Sequence, residues 1–269
     1  MNLSEDEVSL NETYLSRSAA QWTAWFKYNR QHLMGIPWEA EKFLTANEKN
    51  AIAKSIAIFQ LGESSDGELF RNAAKKYASR TGEMSYVDAQ DLFIQEEQRH
   101  AEVLGRFMKR EGIPEKDVQW TDTVFRALRH LGRLELCISV LITAELIASV
   151  YYEALKQSTT SPVLRKICEQ ILADEEQHIY FQAGTLAKIR EVKGLWALAF
   201  IELMHRALML GVVCVVWWDH RRVFKAANMN FGYFFRRSFE ALEHKLQIVR
   251  ENIVLEWRRR RTKPRVIKV

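Results

Sequence analysis

The sequence predicts an all-α protein, and three observations carry that expectation. Apolar residues recur at helical spacing almost throughout, the interruptions are short polar clusters, and only four Pro and 11 Gly occur in 269 residues. A hydrophobic content of 48% is ample for a buried core. The net charge is +5. Much of that excess sits in Arg258, Arg259, Arg260, Arg261, Lys263, Arg265 and Lys268, so the body is close to neutral and no nucleic-acid partner is expected. Cys137, Cys168 and Cys214 are far apart and form no Cys-x-x-Cys pair, which speaks against a disulfide framework or a thiolate metal site and fits a reducing cytoplasm. The acidic, polar start MNLSEDEVSLNETY does not read as a secretory signal.

Residues 1–45 read as a helical extension packed on the rest, carrying Trp22, Trp25 and Phe26 before Pro37 interrupts. Four long helices are expected next, at about Ala46 to Arg80, Ser85 to Gly112, Asp122 to Lys156 and Ser161 to Glu191. They are separated by TGEMS, GIPEKD and QSTTSP, which place Gly, Ser or Pro at caps and turns. Residues 46–192 thus form a four-helix unit. Two further helices, about Gly194 to Ala227 and Tyr233 to Arg260, fill 193–262 as part of the same domain, ahead of a basic tail at 263–269.

The chemistry is written twice, as EEQRH (Glu96 to His100) and EEQHI (Glu175 to Ile179). Residues three apart share a helix face, so Glu97 and His100 can reach one ion, and so can Glu175 and His178. Both pairs lie on apolar stripes, the first with Tyr86, Phe93, Leu104 and Phe107, the second with Leu164, Cys168 and Ile171. Burying such groups is costly unless each carboxylate is compensated, and a metal ion is the natural partner of Glu with neutral imidazole. Neighbouring helices offer more carboxylates. Glu145 lies on the stripe Leu134, Ile138, Leu141, Ala148, Tyr152. Glu63 lies on the stripe Ile52, Ile56, Phe59, Phe70, Tyr77, whereas Glu68 shares a solvated face with Ser64, Asn72 and Lys75. An isolated Glu-x-x-His is usually a surface salt-bridge pattern; four coordinated features are not.

One Glu on each of two helices and Glu-x-x-His on each of two others resembles the ferritin-like diiron-carboxylate superfamily, across about residues 46 to 190. The resemblance implies a ferritin-like four-helix bundle with extra N- and C-terminal helices. It also implies that Glu63 and His100 bind one iron, Glu145 and His178 the other, and Glu97 and Glu175 bridge. Two Fe ions, with manganese an alternative, would take dioxygen as cosubstrate and require an external electron donor, a protein or a small reductant. Asp91 and Asp174 are candidates to fix the imidazoles, a solvated acid being the simpler reading of each. Tyr86 and Tyr152 read as aromatic core with second roles as hydrogen-bond donors. ELMH, Glu202 to His205, repeats the spacing a third time, but a buried Glu202–Arg206 pair explains its acid more simply. His130, His220 and His244 stand among Arg and Lys and read as surface residues.

About 75 residues follow the fourth helix, more than a minimal ferritin needs, and the absence of Cys-x-x-Cys weakens a rubrerythrin-like peroxidase. The expected activity is therefore a diiron oxidase or oxygenase acting on a small, apolar organic substrate. The alternative is a ferroxidase, or an iron-handling or peroxide-scavenging protein. The segment Leu195 to Trp218 is the most apolar part of the chain. Glu202, His205 and Arg206 argue against a lone membrane span, since a central charge costs on the order of 3 kcal/mol on the insertion scale. It is expected to pack against the bundle, with the wall of an apolar pocket or a membrane-docking face as alternatives. If it closes a pocket near Glu63 and Glu145, a larger side chain at Ala207 is expected to fill it. A peripheral membrane or acyl-carrier contact and a homodimer remain open for the partners.

Overall fold

The structure, a computed structural model, describes residues 17–65, 67–116 and 134–262. The described residues form α1 (Ala19–Gln31), α2 (Ala46–Glu63), α3 (Glu68–Thr81), α4 (Ser85–Glu111), α5 (Leu134–Gln157), α6 (Pro162–Arg190), α7 (Leu195–Ala226) and α8 (Phe231–Thr262), with no strand among them. The all-α expectation holds. Residues 117–133, which include the expected start of the third long helix and His130, lie outside the described residues, as do the N-terminal acidic stretch and the tail from 263.

Helix boundaries follow local chemistry. Ser18 with Gln21 and Thr45 with Glu48 form reciprocal capping boxes at α1 and α2, while Ser161 caps α6 ahead of Pro162. Gly112, at φ +63°, ends α4 in the left-handed conformation that favours Gly. The expected helix from Ala46 to Arg80 is in fact two. The chain leaves α2 at Glu63 and re-enters α3 through Gly67, whose φ is +66° and where a Cβ would meet Ile94 at 2.6 Å. Only Gly tolerates both constraints, so Gly67 marks a break that helical periodicity alone did not expose.

α2, α4, α5 and α6 form the bundle; α1 lies along α4, α3 packs on α4 and α5, α7 on α5 and α2, and α8 on α6, α7 and α5. Two apolar clusters fill it. One surrounds Tyr151, Tyr152, Leu104 and Phe224, the other Phe26, Phe93 and Phe181, and the two lie on either side of a buried polar layer. α7 is only partly covered. Its most apolar stretch is 28% buried, with Trp196, Phe200 and Trp218 exposed, so the expectation of a helix buried against the bundle holds for one face alone.

Candidate metal centre

The buried polar layer brings all six sequence-selected residues together. Ligand atoms of Glu63, Glu97, His100 and Glu175 lie within 4.8 Å of one another, and so do those of Glu97, Glu145, Glu175 and His178. The two groups share Glu97 and Glu175. Five atoms of the cluster, Glu97 Oε1, His100 Nδ1, Glu145 Oε2, Glu175 Oε2 and His178 Nδ1, are buried without a hydrogen-bond partner. Orphaned buried polar atoms are costly. Five converging on one spot fit a cation-binding site with two centres. His178 Nδ1 stands 3.1 Å from Glu97 Oε1 and 3.3 Å from Glu145 Oε2, close enough to share an ion though not aligned as a hydrogen bond. Glu68, by contrast, is exposed at the start of α3.

Both imidazoles are turned the same way. His100 Nε2 donates to Asp174 Oδ2 at 3.0 Å, and His178 Nε2 donates to Glu96 Oε2 at 2.9 Å. A proton held on Nε2 leaves the Nδ1 lone pair facing the cluster, the tautomer a metal ligand needs. Asp174 is 1% exposed, which overturns the surface-acid reading for it. It also accepts from Asn29, Gln170 and Arg99, and burial is outweighed by these donors and His100, so its carboxyl sits below the usual range. Asp91 does pair at the surface, with Arg71 at 2.6 Å.

The sequence reading missed Glu96, Asn29, Arg99 and Gln182. Asn29 Nδ2 donates to both Glu96 Oε1 (2.6 Å) and Asp174 Oδ1 (2.8 Å), so α1 clamps the two acids that hold the imidazoles. Gln182 Nε2 donates to Glu145 Oε1 at 2.8 Å, and Tyr152 donates to Glu63 Oε1 at 2.8 Å. A signal for Glu96 was present, shared with the candidate Asp174: an acid stands immediately before each Glu-x-x-His, Glu96 before Glu97 and Asp174 before Glu175. Tyr86 is a buried core aromatic.

Four carboxylates crowd this layer. Burial and the neighbouring Glu97 push the Glu63 carboxyl up to about 8, and burial with Glu145 raises Glu97 and Glu175. Glu145 is lowered: burial opposes this, but Glu175, His178 and Gln182 outweigh it. Burial alone would lower His178, but Glu145, Glu175, Glu96 and Glu97 hold it well above its ordinary value. Cations would relieve this repulsion and displace the protons.

The layer floors a cavity of about 150 Å³. Glu63, Glu97, Glu145 and Glu175 form its polar base; Phe59, Val140, Ala148, Val212 and Val216 are among its apolar walls. The inward face of α7 supplies Val212, Val215, Val216, Asp219 and His220. Ala207 is exposed and does not line the cavity, so the expected filling position was one face away. The third Glu-x-x-His does not join the cluster: Glu202 pairs with Arg206 and Arg250, and it is half-buried rather than buried. His205 bonds Thr143 at 2.8 Å and Lys245 at 3.2 Å. His244 is exposed, but His220 is 4% exposed, which corrects its surface reading: Arg221 and Arg222 point away around the helix while His220 faces Ser55.

Two solved structures share this fold. One is a substituted R2-like ligand-binding oxidase with an aerobically reconstituted Mn/Fe cofactor, similar at TM-score 0.63 and 17% identity, covering 87% of this chain and 93% of that one. The other is an R2-like ligand-binding oxidase without metal cofactor, at TM-score 0.64 and 17% identity, covering 86% and 96%. These neighbours are ferritin-like helical bundles, and the present chain has that fold. No family model matches the sequence, and no curated protein does.

Proposed function

We propose that this chain is a dimetal-carboxylate oxidase that uses dioxygen to oxidise a small, largely apolar organic molecule. The observation that carries the reading is the seating of a two-centre carboxylate–histidine cluster at the base of an apolar cavity. A ferroxidase needs the cluster but not the cavity. The oxidase names of the two structural neighbours, one of them with a Mn/Fe cofactor, support the same class.

Glu63 and His100 would hold one ion, Glu145 and His178 the other, with Glu97 and Glu175 between them. The four carboxylates balance two divalent cations, so the loaded site is near neutral. Bound iron, or manganese with iron, supplies redox equivalents and open positions for dioxygen. The chain's own residues do the rest. Asp174 and Glu96 fix the imidazole tautomers, and Tyr152 and Gln182 each hold one oxygen of a terminal carboxylate while leaving the other toward the cluster. The apolar walls exclude water and favour an apolar substrate. An external reductant would return the site to its starting state.

The test is aerobic incubation of the metal-loaded chain and a reductant with a small-molecule extract, followed by mass spectrometry. Dioxygen-dependent loss of an apolar compound, with a product changed by oxygen insertion or loss of hydrogen, is the expected result. Rapid iron oxidation with no organic compound altered would favour the ferroxidase.

A further inference from the structure

At the end of the cavity away from the carboxylates stands a second polar feature. His220 lines the wall yet is 4% exposed. Its Nδ1 lies 2.6 Å from Ser55 Oγ, and Ser55 Oγ lies 3.0 Å from the hydroxyl of Tyr151, itself fully buried. Among the described residues Nε2 has no hydrogen-bond partner. Phe59 fixes the assembly from the side, stacked on Tyr151 at 3.5 Å and edge-on to His220 at 4.9 Å. Ser55 precedes Glu63 by eight residues on α2, about 12 Å at 1.5 Å per residue.

The direction of the chain of bonds follows from counting donors. Hydroxyl hydrogens rotate to suit their partners. Among the described residues Ser55 is the one hydrogen-bond partner of the Tyr151 hydroxyl. If His220 Nδ1–H donated to Ser55 and Ser55 to Tyr151, the Tyr151 hydrogen would be left buried and unpaired, at a cost of about 1–3 kcal/mol. If Tyr151 donates to Ser55 and Ser55 to Nδ1, both hydroxyl hydrogens are paired, and the one donor left over belongs to His220, which lines the cavity, rather than to the fully buried Tyr151. The ring proton then sits on Nε2, facing the cavity. Burial, with Lys54 nearby, pushes the ring's pKa down to about 3, so it stays neutral.

Resting on the oxidase reading above, we infer that His220 Nε2–H anchors the distal end of the substrate. The substrate class is thereby narrowed to an apolar body ending in an uncharged acceptor oxygen: a carbonyl, an ether or a hydroxyl. Ser55 and Tyr151 are positioning residues that set the tautomer.

The experiment is a calorimetric titration of the metal-loaded full chain under argon with three probes: heptan-2-one, its isostere 2-methylhept-1-ene, and heptanoate. The ketone is expected to bind about tenfold more tightly than the alkene. His220→Phe should bring that ratio to about one while keeping alkene affinity and metal content, and His220→Gln should restore part of it. Retained alkene binding shows that the variant is folded; should it not fold, Ser55→Ala, which removes the donor to Nδ1, is expected to lower the ratio. A ratio near one in the unaltered chain, a ratio unchanged in His220→Phe, or tightest binding of heptanoate would overturn this inference and leave the oxidase reading standing. Binding of none of the three would overturn the cavity reading and this inference with it.

Discussion

Asp174 accepts a hydrogen bond from His100 at 3.0 Å although the two residues belong to different copies of the same motif. The reverse brace, Glu96 to His178 at 2.9 Å, completes an exchange in which each motif's leading acid holds the other motif's imidazole. Asp174→Asn keeps the shape but removes the charge that stabilises the Nε2–H tautomer. Metal affinity is expected to fall about 10–100-fold, whereas Asp91→Asn should leave it unchanged. Equal effects of the two, in metal titrations monitored by competition with a chromophoric chelator, would contradict the brace.

Tyr152 makes a smaller version of the same argument. Its hydroxyl donates to Glu63 Oε1, and Tyr152→Phe leaves the carboxylate in place but free to rotate. The expected loss in affinity is about tenfold, as for one hydrogen bond to a charged group, and confined to one of two sequential binding steps. A uniform loss from both steps would indicate a general packing defect instead.

A substitution at Val216 tests the cavity independently of the cluster. This residue lines the wall but contacts the layer through no hydrogen bond, so Val216→Phe is expected to suppress binding and turnover of an apolar substrate at least tenfold while metal content stays near that of the parent. Overpacking is expected to cost about 1–3 kcal/mol of stability. Ala207→Trp, on the exposed face of α7, should do neither. If Ala207→Trp blocked turnover and Val216→Phe did not, the cavity would have been assigned to the wrong face.

Metal-free protein should be less stable at higher pH. Glu63 is raised from its ordinary 4.5 to about 8, so the folded chain keeps a proton that the unfolded chain releases near 4.5, and stability falls as pH rises between those values. His178, raised well above 6.5, acts in the same direction: its contribution is full below 6.5 and is lost as pH rises. Melting temperatures of metal-free protein are therefore expected to be lower at pH 8 than at pH 5.5, and loading with metal should remove the difference. His205, His220 and Lys245, buried with lowered values, act in the opposite direction, so a metal-free melting temperature that rose over this interval would mean that they outweigh the carboxylate layer and would contradict the expected net sign.

The six central residues were legible because helical spacing and inward direction are properties of each helix alone. Glu63 was separated from Glu68 that way, without knowledge that a turn intervenes. What escaped depended on contacts between helices. Glu96 and Asp174 sit beside the selected acids in sequence, yet their role is visible only when the two motifs face each other. Asn29 comes from the N-terminal extension, where no periodicity points at the site. His220 was misjudged because Arg221 and Arg222 follow it, although neighbours in a helix point about 100° apart.

The central claim, a two-ion centre bridged by Glu97 and Glu175, is tested most directly by counting metal per chain. Anaerobic loading with ferrous iron, removal of excess by gel filtration and elemental analysis should give two ions per chain for the parent. Glu97→Ala and Glu175→Ala should each reduce binding of both ions, and Glu68→Ala should retain two. Fewer than two in the parent, or two retained after both bridging substitutions are combined, would contradict the account.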